Sequence, residues 1–388
     1  MNRMKQAVHF GAGVIGRGFI GDLLSDSGFE ITFVDVDKEL LSQINKTNSY
    51  DVYYIDRNYE RKTIEHVNGI SPIDDEEKVI KVISECDILT TSVWADNLPK
   101  IANVIVKGLL KRKENNNEKL NVLACENALF ASNILKKALL ECDVEITQSE
   151  LDQIASFSNT SVDRMVFDAS KNGKKIVEIG VEFELVIEQF NLIDPTERPI
   201  EGAIYTDNLQ KYLERKIYII NCAHAIAGYL GYLKGYEYVQ EAFDDTQIYD
   251  DVFAATKESA AALSLKYNFD MAELEGYINF AIGRFMTPGV KDPITRVARS
   301  PIRKLGETDR LVGPALICQQ YGLENQYICK GIAAALLFRN PEDPQAVEIE
   351  MFINENGIEQ AITHFTKLES NSKVHENILH FYNEFLSE

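Results

Sequence analysis

A glycine-rich segment directly follows a short apolar run, QAVHF, near the N-terminus, and it leaves few folds open to this part of the chain. The segment has the pattern G-x-G-x-x-G and consists of Gly11, Ala12, Gly13, Val14, Ile15 and Gly16. Between a strand and a helix, the first glycine permits a tight turn, the second lets the backbone approach a pyrophosphate, and the third allows close helix packing. The free N–H groups at the start of the helix attract phosphates. The segment therefore predicts a dinucleotide-binding βαβ unit.

A second apolar run, EITFVDVD, supplies the acid that such a unit needs. Asp35 in this run lies where the ribose-binding carboxylate is expected. An aspartate there can bond both ribose hydroxyls and repels a 2′-phosphate, so it favours NAD over NADP. Asp37 is the nearest competitor for this role, and we interpret it as an exposed turn residue. The sequence thus predicts NAD as the cofactor.

The order of apolar runs predicts two domains. From residue 6 to about 190, short β-branched runs alternate with helical stretches, which is typical of a Rossmann-type doubly wound α/β sheet, mainly parallel, whose last strands could be antiparallel. Beyond the loop NLIDPTERPIEG, apolar residues recur at helical spacing, which predicts an all-helical domain. A chain of 388 residues is long for one core. We expect an NAD-binding domain at 1–195, a helical substrate and catalytic domain at 196–388, and the active site in a cleft between them.

The segment ERKIYIINCAHAIAGYLG carries Lys216, Asn221 and His224 with K-x4-N-x2-H spacing. In an α-helix, a rotation of about 100° per residue places Asn221 about 140° and His224 about 80° from Lys216, so all three can face one cleft. Desolvation, aided by a nearby imidazolium, would favour a neutral lysine, which is a base for an alcohol. The amide of Asn221 offers N–H donors to the resulting alkoxide. The alternative interpretation is the solvated face of an ordinary amphipathic helix.

Composition excludes several classes of partner. A formal net charge of −20 argues against nucleic acid and against anionic membranes as partners. No apolar run approaches the length of a bilayer span and no signal-peptide layout is present, so we expect a cytoplasmic protein. The 6 cysteines and 6 histidines are dispersed without metal-ligand spacing, which predicts metal-independent chemistry. The expected partner is a small-molecule substrate, and the protein could be a monomer or a homodimer.

These segments together resemble the polyol-specific long-chain dehydrogenases over nearly the whole chain. FGAGVIGRGFIG is similar to the opening of these enzymes, ERKIYIINCAHAIAGYLG to their catalytic helix, and RVARSPIRKLGETDRLVGPA to a later signature. The resemblance implies that Lys216 is the general base and that Asn221 and His224 bind the reacting oxygen and orient the substrate. It also implies that Asn127, in ACEN, belongs to the oxyanion site, and that Asp163, in SVDRM, lies near the substrate.

The chain departs from the family pattern in three places. Asn-Cys-Ala-His replaces the expected Asn-Thr-Gly-His in the catalytic helix, and Met165 stands where the family prefers Ile or Val. These neighbours of the chemistry leave the mechanism intact. The third departure is Trp94-Ala95, where Gly-Pro is usual. Trp94, the only tryptophan, ends a strand on the cofactor side, where it either reshapes the nicotinamide pocket or serves as a packing residue.

A basic stretch, RVARSPIRK, favours a phosphorylated substrate. It carries Arg296, Arg299, Arg303 and Lys304 and no acid. Arginine forks and a lysine point charge suit a dianionic phosphate, whereas a solvated basic face is the alternative. Because the stretch lies within the family resemblance, we favour phosphate binding, with Arg303 and Lys304 first and Arg299 next. Arg296 and Arg164 are the reserve candidates.

The resemblance implies a specific reaction, the reversible NAD-dependent oxidation of D-mannitol 1-phosphate to D-fructose 6-phosphate. The nearest alternative is the same chemistry on another polyol, polyol phosphate or sugar acid. An alternative from another class is a non-catalytic NAD-binding sensor, which would keep the glycine segment but would not need Lys216, Asn221 and His224.

Overall fold

The computed structural model describes residues 3–115, 118–171, 173–287 and 291–387. The chain divides into two compact units, Met1–Leu209 and Gln210–Glu388. The division falls after residue 209, whereas the sequence placed the domain boundary after residue 195. The physical reason is a short strand at Ile204–Thr206, which pairs with the sheet of the first unit and keeps the intervening loop with it.

All strands of the described residues belong to the first unit. They are β1 (Lys5–Phe10), β2 (Phe29–Val34), β3 (Ser49–Tyr54), β4 (Glu60–Glu65), β5 (Val67–Ile70), β6 (Ile88–Thr91), β7 (Leu120–Ala124), β8 (Ala155–Phe157), β9 (Thr160–Lys171), β10 (Lys174–Glu188) and β11 (Ile204–Thr206). Six of them form a parallel sheet of order β5-β2-β1-β6-β7-β8. The strands β2 and β5 lie on one side of β1, and the later strands β6, β7 and β8 lie on the other, which is the arrangement of a doubly wound sheet. This confirms the predicted Rossmann-type architecture.

The last long strands are antiparallel, as the sequence allowed, but they belong to a second sheet that was not predicted. Its order is β11-β10-β3-β4, and β9 pairs antiparallel with β10 in a long hairpin. The strands β3 and β4 pair antiparallel within YDVYYIDRNYERKTIEH. This segment escaped prediction because β4 is mostly exposed and its charged residues interrupt the apolar alternation that marks a half-buried strand.

Helices cover the two faces of the parallel sheet. In chain order they are α1 (Gly21–Asp26), α2 (Lys38–Thr47), α3 (Glu76–Glu85), α4 (Leu98–Asn115), α5 (Ala131–Leu140) and α6 (Gln148–Ile154). Aspartates begin two of them: the carboxylate of Asp37 accepts a hydrogen bond from Leu40 N–H, and that of Asp75 accepts one from Lys78 N–H. Each cap satisfies a backbone donor that has no partner within its helix.

A buried ion pair joins the second sheet to the first helix. Arg164 in β9 contacts Asp22 in α1 at 2.6 Å, and the two side chains are only 2% and 3% exposed. Arg164 also donates to the carbonyl oxygens of Gly18 and Gly180. These three acceptors satisfy the guanidinium of Arg164 inside the core. Removing Asp22 would leave an uncompensated buried charge, so the pair has a structural role. Arg164 is therefore not a phosphate ligand in this arrangement.

The second unit is all-helical in its described residues, as the sequence predicted. Its helices are α7 (Leu209–Arg215), α8 (Cys222–Leu233), α9 (Val239–Asp244), α10 (Thr246–Tyr267), α11 (Met271–Phe285), α12 (Ile294–Ala298), α13 (Pro301–Lys304), α14 (Val312–Gln320), α15 (Gln326–Leu336), α16 (Pro344–Asn356), α17 (Ile358–Thr366) and α18 (Lys373–Ser387). They enclose one large apolar core around α8. Within the described residues of the whole chain, every helix is too short or too polar to cross a bilayer.

Candidate active site

The glycine segment forms a tight loop at the carboxyl end of β1. Gly11 has φ +102, and a Cβ there would approach the Ser92 carbonyl oxygen to 2.5 Å, so only glycine fits. A Cβ at Gly16 would collide with the carbonyl oxygen of Gly11. At Gly13 a Cβ would meet nothing within 4 Å, so its backbone borders open space. This geometry fits the three glycine roles, because a pyrophosphate could approach the loop at Gly13.

The remaining residues of the segment anchor the loop to the core. Ala12 is buried, and Val14 and Ile15 pack partly buried against the apolar cluster beneath the loop. A π-helical turn follows at Gly16–Ile20, before α1 begins. Arg17 is buried in this turn, and its Nε donates to the carbonyl oxygen of Ala12 at 2.7 Å.

Asp35 lies directly after β2 and beside the glycine loop. Its Oδ2 accepts a hydrogen bond from Ala12 N–H at 2.6 Å, and its Oδ1 accepts one from Asp37 N–H at 2.9 Å. Asp37 has a different task from the predicted exposed turn residue: it begins α2 and pairs with Lys175 at 2.6 Å. The hydrogen bond from Lys175 lowers the pKa of Asp37. Of the two acids, Asp35 is the one that contacts the loop.

A buried histidine supports the loop from below. His9 in β1 is fully buried, with Nδ1 2.6 Å from Thr90 Oγ1 and Nε2 2.8 Å from Ser92 Oγ. Burial lowers the pKa of His9 to about 3, so the ring is neutral and can both donate and accept. It therefore links β1 to β6 under the loop without adding charge.

The turn after β6 is held by a buried carboxylate that the sequence analysis missed. Glu126 follows β7, is 4% exposed, and accepts hydrogen bonds from Thr91 Oγ1 at 2.7 Å and from the N–H groups of Val93 and Trp94 at 3.0 and 2.8 Å. Trp94 has φ +71, a conformation that costs a non-glycine residue about 1–3 kcal/mol. Its side chain is 77% exposed, so it does not pack into the core.

Asn127 and Asp163 lie in different parts of the first unit, one in a loop of the parallel sheet and the other in a strand of the second sheet. Asn127 is exposed in the loop after β7, at the same edge of the parallel sheet as the glycine segment. Asp163 is half-buried in β9 and lies opposite Glu184 of β10. Of the two, only Asn127 lies at the edge where the carboxyl ends of the parallel strands meet, which is where ligands bind in such sheets.

The segment with Lys216 is wound differently from the predicted α-helix. Lys216–Asn221 form a π-helical turn, and Cys222 N–H donates to the carbonyl oxygen of Ile217, five residues earlier. In a π turn, residues five apart lie one above the other, as residues four apart do in an α-helix. Lys216 and Asn221 therefore share one face, and the predicted separation of about 140° is wrong. The Lys216 side chain is buried, with 8% exposure, and Asn221 is half-buried.

His224 is oriented by an acid that the sequence analysis also missed. Its Nε2 lies 3.0 Å from Asp292 Oδ2, and its ring stacks on Phe285 with centroids 4.4 Å apart. Burial lowers the pKa of His224 although the hydrogen bond with Asp292 acts to raise it, which favours the neutral imidazole over the imidazolium considered from the sequence. A neutral ring bonded to a carboxylate carries its hydrogen on Nε2, which leaves Nδ1 as a hydrogen-bond acceptor.

One arginine of the basic stretch belongs to this arrangement. The guanidinium of Arg296 donates two hydrogen bonds, of 2.5 and 2.7 Å, to the carboxylate of Asp292. Burial acts to raise the pKa of Asp292, but the hydrogen bonds from His224 and Arg296 outweigh it and hold the pKa below its usual range. Arg296 therefore has a carboxylate partner and supports His224 through it.

The other basic residues form a compact group around one buried lysine. Lys304 is 3% exposed, and its Nζ donates to the carbonyl oxygen of Arg299. Burial, followed by the charges of Arg310 and Arg303, lowers the pKa of Lys304 to about 7, although the carboxylates of Asp309 and Asp343 act to raise it. Arg299 and Arg303 are exposed. Arg310, which the sequence analysis did not select, adds a third charge near Lys304 and pairs with Asp309 at 2.7 Å.

No set of three or more His, Cys, Asp or Glu side chains suited to a metal ion occurs in the part of the chain that the structure describes.

Comparison with known proteins covers both units. Residues 5–200 match the mannitol dehydrogenase Rossmann domain, and residues 208–386 match the mannitol dehydrogenase C-terminal domain. The chain is 43% identical over 383 residues to mannitol-1-phosphate 5-dehydrogenase of Thermoanaerobacter pseudethanolicus, with 98% of each chain covered. It is 42% identical over 366 residues to the enzyme of that name from Geobacillus stearothermophilus, covering 94% of this chain and 95% of the relative.

Solved structures share the fold at lower identity. Mannitol 2-dehydrogenase of Pseudomonas fluorescens, in a ternary complex with NAD and D-mannitol, matches with a TM-score of 0.72 and 18% identity, covering 99% of this chain and 92% of that one. A substrate-free D-sorbitol dehydrogenase matches with a TM-score of 0.78 and 16% identity, covering 97% and 92%. At these identities the likeness extends to the fold alone.

Proposed function

The chain belongs to the mannitol dehydrogenase family, and we propose that it catalyses the reversible NAD-dependent oxidation of D-mannitol 1-phosphate to D-fructose 6-phosphate. The observation that carries this proposal is the 43% identity, over 98% of both chains, to a mannitol-1-phosphate 5-dehydrogenase. We further propose that the enzyme acts in the cytosol without a metal ion. Another polyol, polyol phosphate or sugar acid remains the alternative substrate.

The first unit would hold the cofactor through the glycine loop and Asp35. The open space at Gly13 suits the pyrophosphate, and the Asp35 carboxylate beside the loop suits the two hydroxyls of the adenosine ribose. NAD, when bound, supplies the acceptor for the hydride that leaves the substrate carbon. The chain itself supplies binding, orientation and proton transfer.

We assign the proton transfer to Lys216. Its side chain is buried in the segment that also carries Asn221 and His224, and as a neutral amine it would take the hydroxyl proton as the substrate carbon gives up its hydride. Asn221, on the same face of the π turn, would donate N–H to the developing alkoxide, and we propose the same role for Asn127. In the reductive direction, protonated Lys216 returns the proton to the carbonyl oxygen. Nδ1 of His224 would accept a hydrogen bond from a substrate hydroxyl, and Asp163 would contact the substrate.

We propose that the phosphate binds at Arg303 and Lys304, with Arg299 and Arg310 nearby. The support is that Arg310 and Arg303 lie close enough to the buried Lys304 to lower its pKa more than the carboxylates of Asp309 and Asp343 raise it, and a bound dianion would relieve this crowding of positive charge. Arg296 is less suited to this role because Asp292 holds its guanidinium through two hydrogen bonds, whereas Asp309 holds that of Arg310 through one.

The pH dependence of substrate affinity tests this assignment. Lys304 has a pKa of about 7 in the free protein, so its charge is present below pH 7 and is lost above it. A bound dianion stabilises the charged form, so affinity for fructose 6-phosphate should fall by up to about tenfold per pH unit above pH 7. We expect KM for fructose 6-phosphate to rise over this range while KM for fructose does not. A folded Lys304→Arg variant, charged at every pH, should lose the dependence; if the variant keeps it, another group is responsible.

Cofactor preference tests Asp35. Replacing Asp35 with serine should lower the ratio of kcat/KM for NAD to that for NADP, because the ribose bond and the repulsion of a 2′-phosphate both disappear. Since the carboxylate also accepts from Ala12 N–H, part of the loss will come from a looser loop. Asp35→Asn is the matched control, because it removes the charge and keeps an acceptor of the same shape. An unchanged ratio in both variants would move the role to Asp37.

The reaction itself is tested with NADH and a panel of ketoses. Fructose 6-phosphate should be reduced much faster than fructose at equal concentration, followed by the loss of nicotinamide absorbance. Equal rates would favour a non-phosphorylated polyol as the substrate. Binding of NADH without turnover of any sugar or sugar phosphate would favour the NAD-binding sensor.

A further inference from the structure

Large exposed apolar side chains of the first unit follow three strands of the parallel sheet. Val36 comes after β2, Ile73 after β5 and Trp94 after β6, with exposures of 64%, 70% and 77%. The carboxyl ends of parallel strands lie at one edge of the sheet, and ligands of doubly wound sheets bind there. Single exposed apolar residues are common, so exposure alone does not identify a site. Trp94 differs from the other two in its backbone and in its support.

The backbone of Trp94 is held in a conformation that suits glycine. Its φ is +71 and its ψ is 137. The buried carboxylate of Glu126 fixes this turn by accepting the N–H groups of Val93 and Trp94. Strained residues persist where the surrounding structure enforces them, and they concentrate at ligand-binding positions. The enforced backbone conformation does not bury the indole of Trp94 in the core. The indole is therefore placed where it can contact a bound ligand.

The turn that carries Trp94 touches the glycine loop. β1 and β6 pair as far as Phe10 and Thr91, and the Ser92 carbonyl lies so close to Gly11 that a Cβ would approach it to 2.5 Å. The sheet order reverses between β1 and β6, which is where a dinucleotide crosses the edge. Because Asp35 follows β2, the adenosine half would lie on the β2 side. The other half of the dinucleotide would then extend toward β6.

We propose that Trp94 is a cofactor-binding residue whose indole covers the nicotinamide–ribose half of bound NAD. This inference rests on the proposed NAD-dependent function and adds a residue to it. An indole presents a large apolar face that can stack on a ribose or a nicotinamide ring. The buried Glu126 acts as the positioning residue, because it fixes the backbone from which the indole projects.

Tryptophan fluorescence, excited at a wavelength that the tyrosines do not absorb, reports on this position alone, since Trp94 is the single tryptophan. Acrylamide should quench the free protein strongly, and saturating NAD should protect the indole from it. AMP, which reaches only the adenosine half, should give little protection. Calorimetry must show NAD bound in the same samples. Bound NAD that leaves acrylamide quenching unchanged would overturn this inference alone, whereas no NAD binding at all would overturn the proposed function with it.

Variants of Trp94 separate the contribution of the indole ring from that of the turn after β6. Trp94→Ala keeps the positive φ but lacks the ring, and we expect its NADH affinity to fall about tenfold, the size of one lost aromatic stacking contact. Trp94→Phe should recover most of that loss. Phe190→Ala is the matched control, because Phe190 is 75% exposed just after β10 and should leave NADH affinity unchanged.

Thermal unfolding then distinguishes a structural role of Trp94 from a role in cofactor binding. Trp94→Gly removes both the ring and the strain, so its unfolding midpoint should equal or exceed that of the wild type while its NADH affinity falls as in Trp94→Ala. A lower midpoint with unchanged NADH affinity would show that Trp94 serves the fold, and the inference would be wrong.

Discussion

Replacing Lys216 with alanine should lower kcat by about 10²- to 10⁴-fold or more, the usual effect of removing a general base. NADH affinity should stay close to that of the wild type, because we assign the cofactor loop to the first unit and Lys216 lies in the second. The expected result therefore separates proton transfer from cofactor binding. Turnover is followed by nicotinamide absorbance and NADH affinity by calorimetry.

Two comparisons make this result specific. Lys257→Ala removes a lysine of α10 that is about half exposed and pairs with Glu275, and it should leave kcat unchanged. Small primary amines added to folded Lys216→Ala should restore part of the activity, since they can occupy the vacated space and accept the proton. A Lys216→Ala variant that keeps more than a tenth of the wild-type kcat would refute the assignment.

Changing Arg303 and Lys304 together to methionine should raise KM for fructose 6-phosphate by a hundredfold or more. Each lost charge-assisted hydrogen bond costs about 1.5–3 kcal/mol, so two such bonds give this size of effect. Fructose lacks the phosphate, and its slow turnover should change little. Steady-state kinetics on the two ketoses measure the difference directly.

The thermal stability of the double variant serves as its control. Lys304 is nearly fully buried, and removing a buried ammonium of depressed pKa need not destabilise the fold. Lys373→Met, which removes an exposed lysine of α18, provides the matched surface change. If a folded double variant loses fructose and fructose 6-phosphate equally, the phosphate must bind elsewhere, and Arg299 and Arg310 are the next residues to change.

Much of the first unit followed from apolar periodicity and one glycine pattern. The runs QAVHF, ITFV and NVLA are strands because both faces of a parallel sheet are buried, which leaves continuous apolar segments in the sequence. The hairpin of β3 and β4 lacks that signal, since most of β4 is exposed to solvent. Local patterns therefore identified the buried sheet and missed the β3–β4 hairpin, whose outer strand lacks an apolar alternation.

The candidate site was predictable in its residue types and less so in its geometry. The K-x4-N-x2-H spacing selected the segment, but nothing in IYII distinguishes a π turn from an α-helix. Asp292 and Glu126 were missed for a related reason. His224, the site residue that Asp292 orients, lies 68 residues from it, and Thr91 lies 35 residues from Glu126, so short-range spacing carries no trace of these two pairings.

The low pKa of Lys304 follows from its burial, which the sequence does not show. In the sequence, RVARSPIRK is a run of exposed-looking cations, and its most buried member is chemically unlike the others. The run also lacks an acid, yet Arg296 finds one four residues upstream, at Asp292.

In the π turn at Lys216–Asn221, the number of residues matters more than which aliphatic residues they are. Such a turn is equivalent to an α-helix that has gained one residue. Exchanging one aliphatic side chain for another at Ile217 or Ile219 preserves that count. Deleting a single residue there would restore ordinary winding and rotate Lys216 about 100° around the helix axis relative to His224. The length of this short stretch is therefore under tighter constraint than its composition.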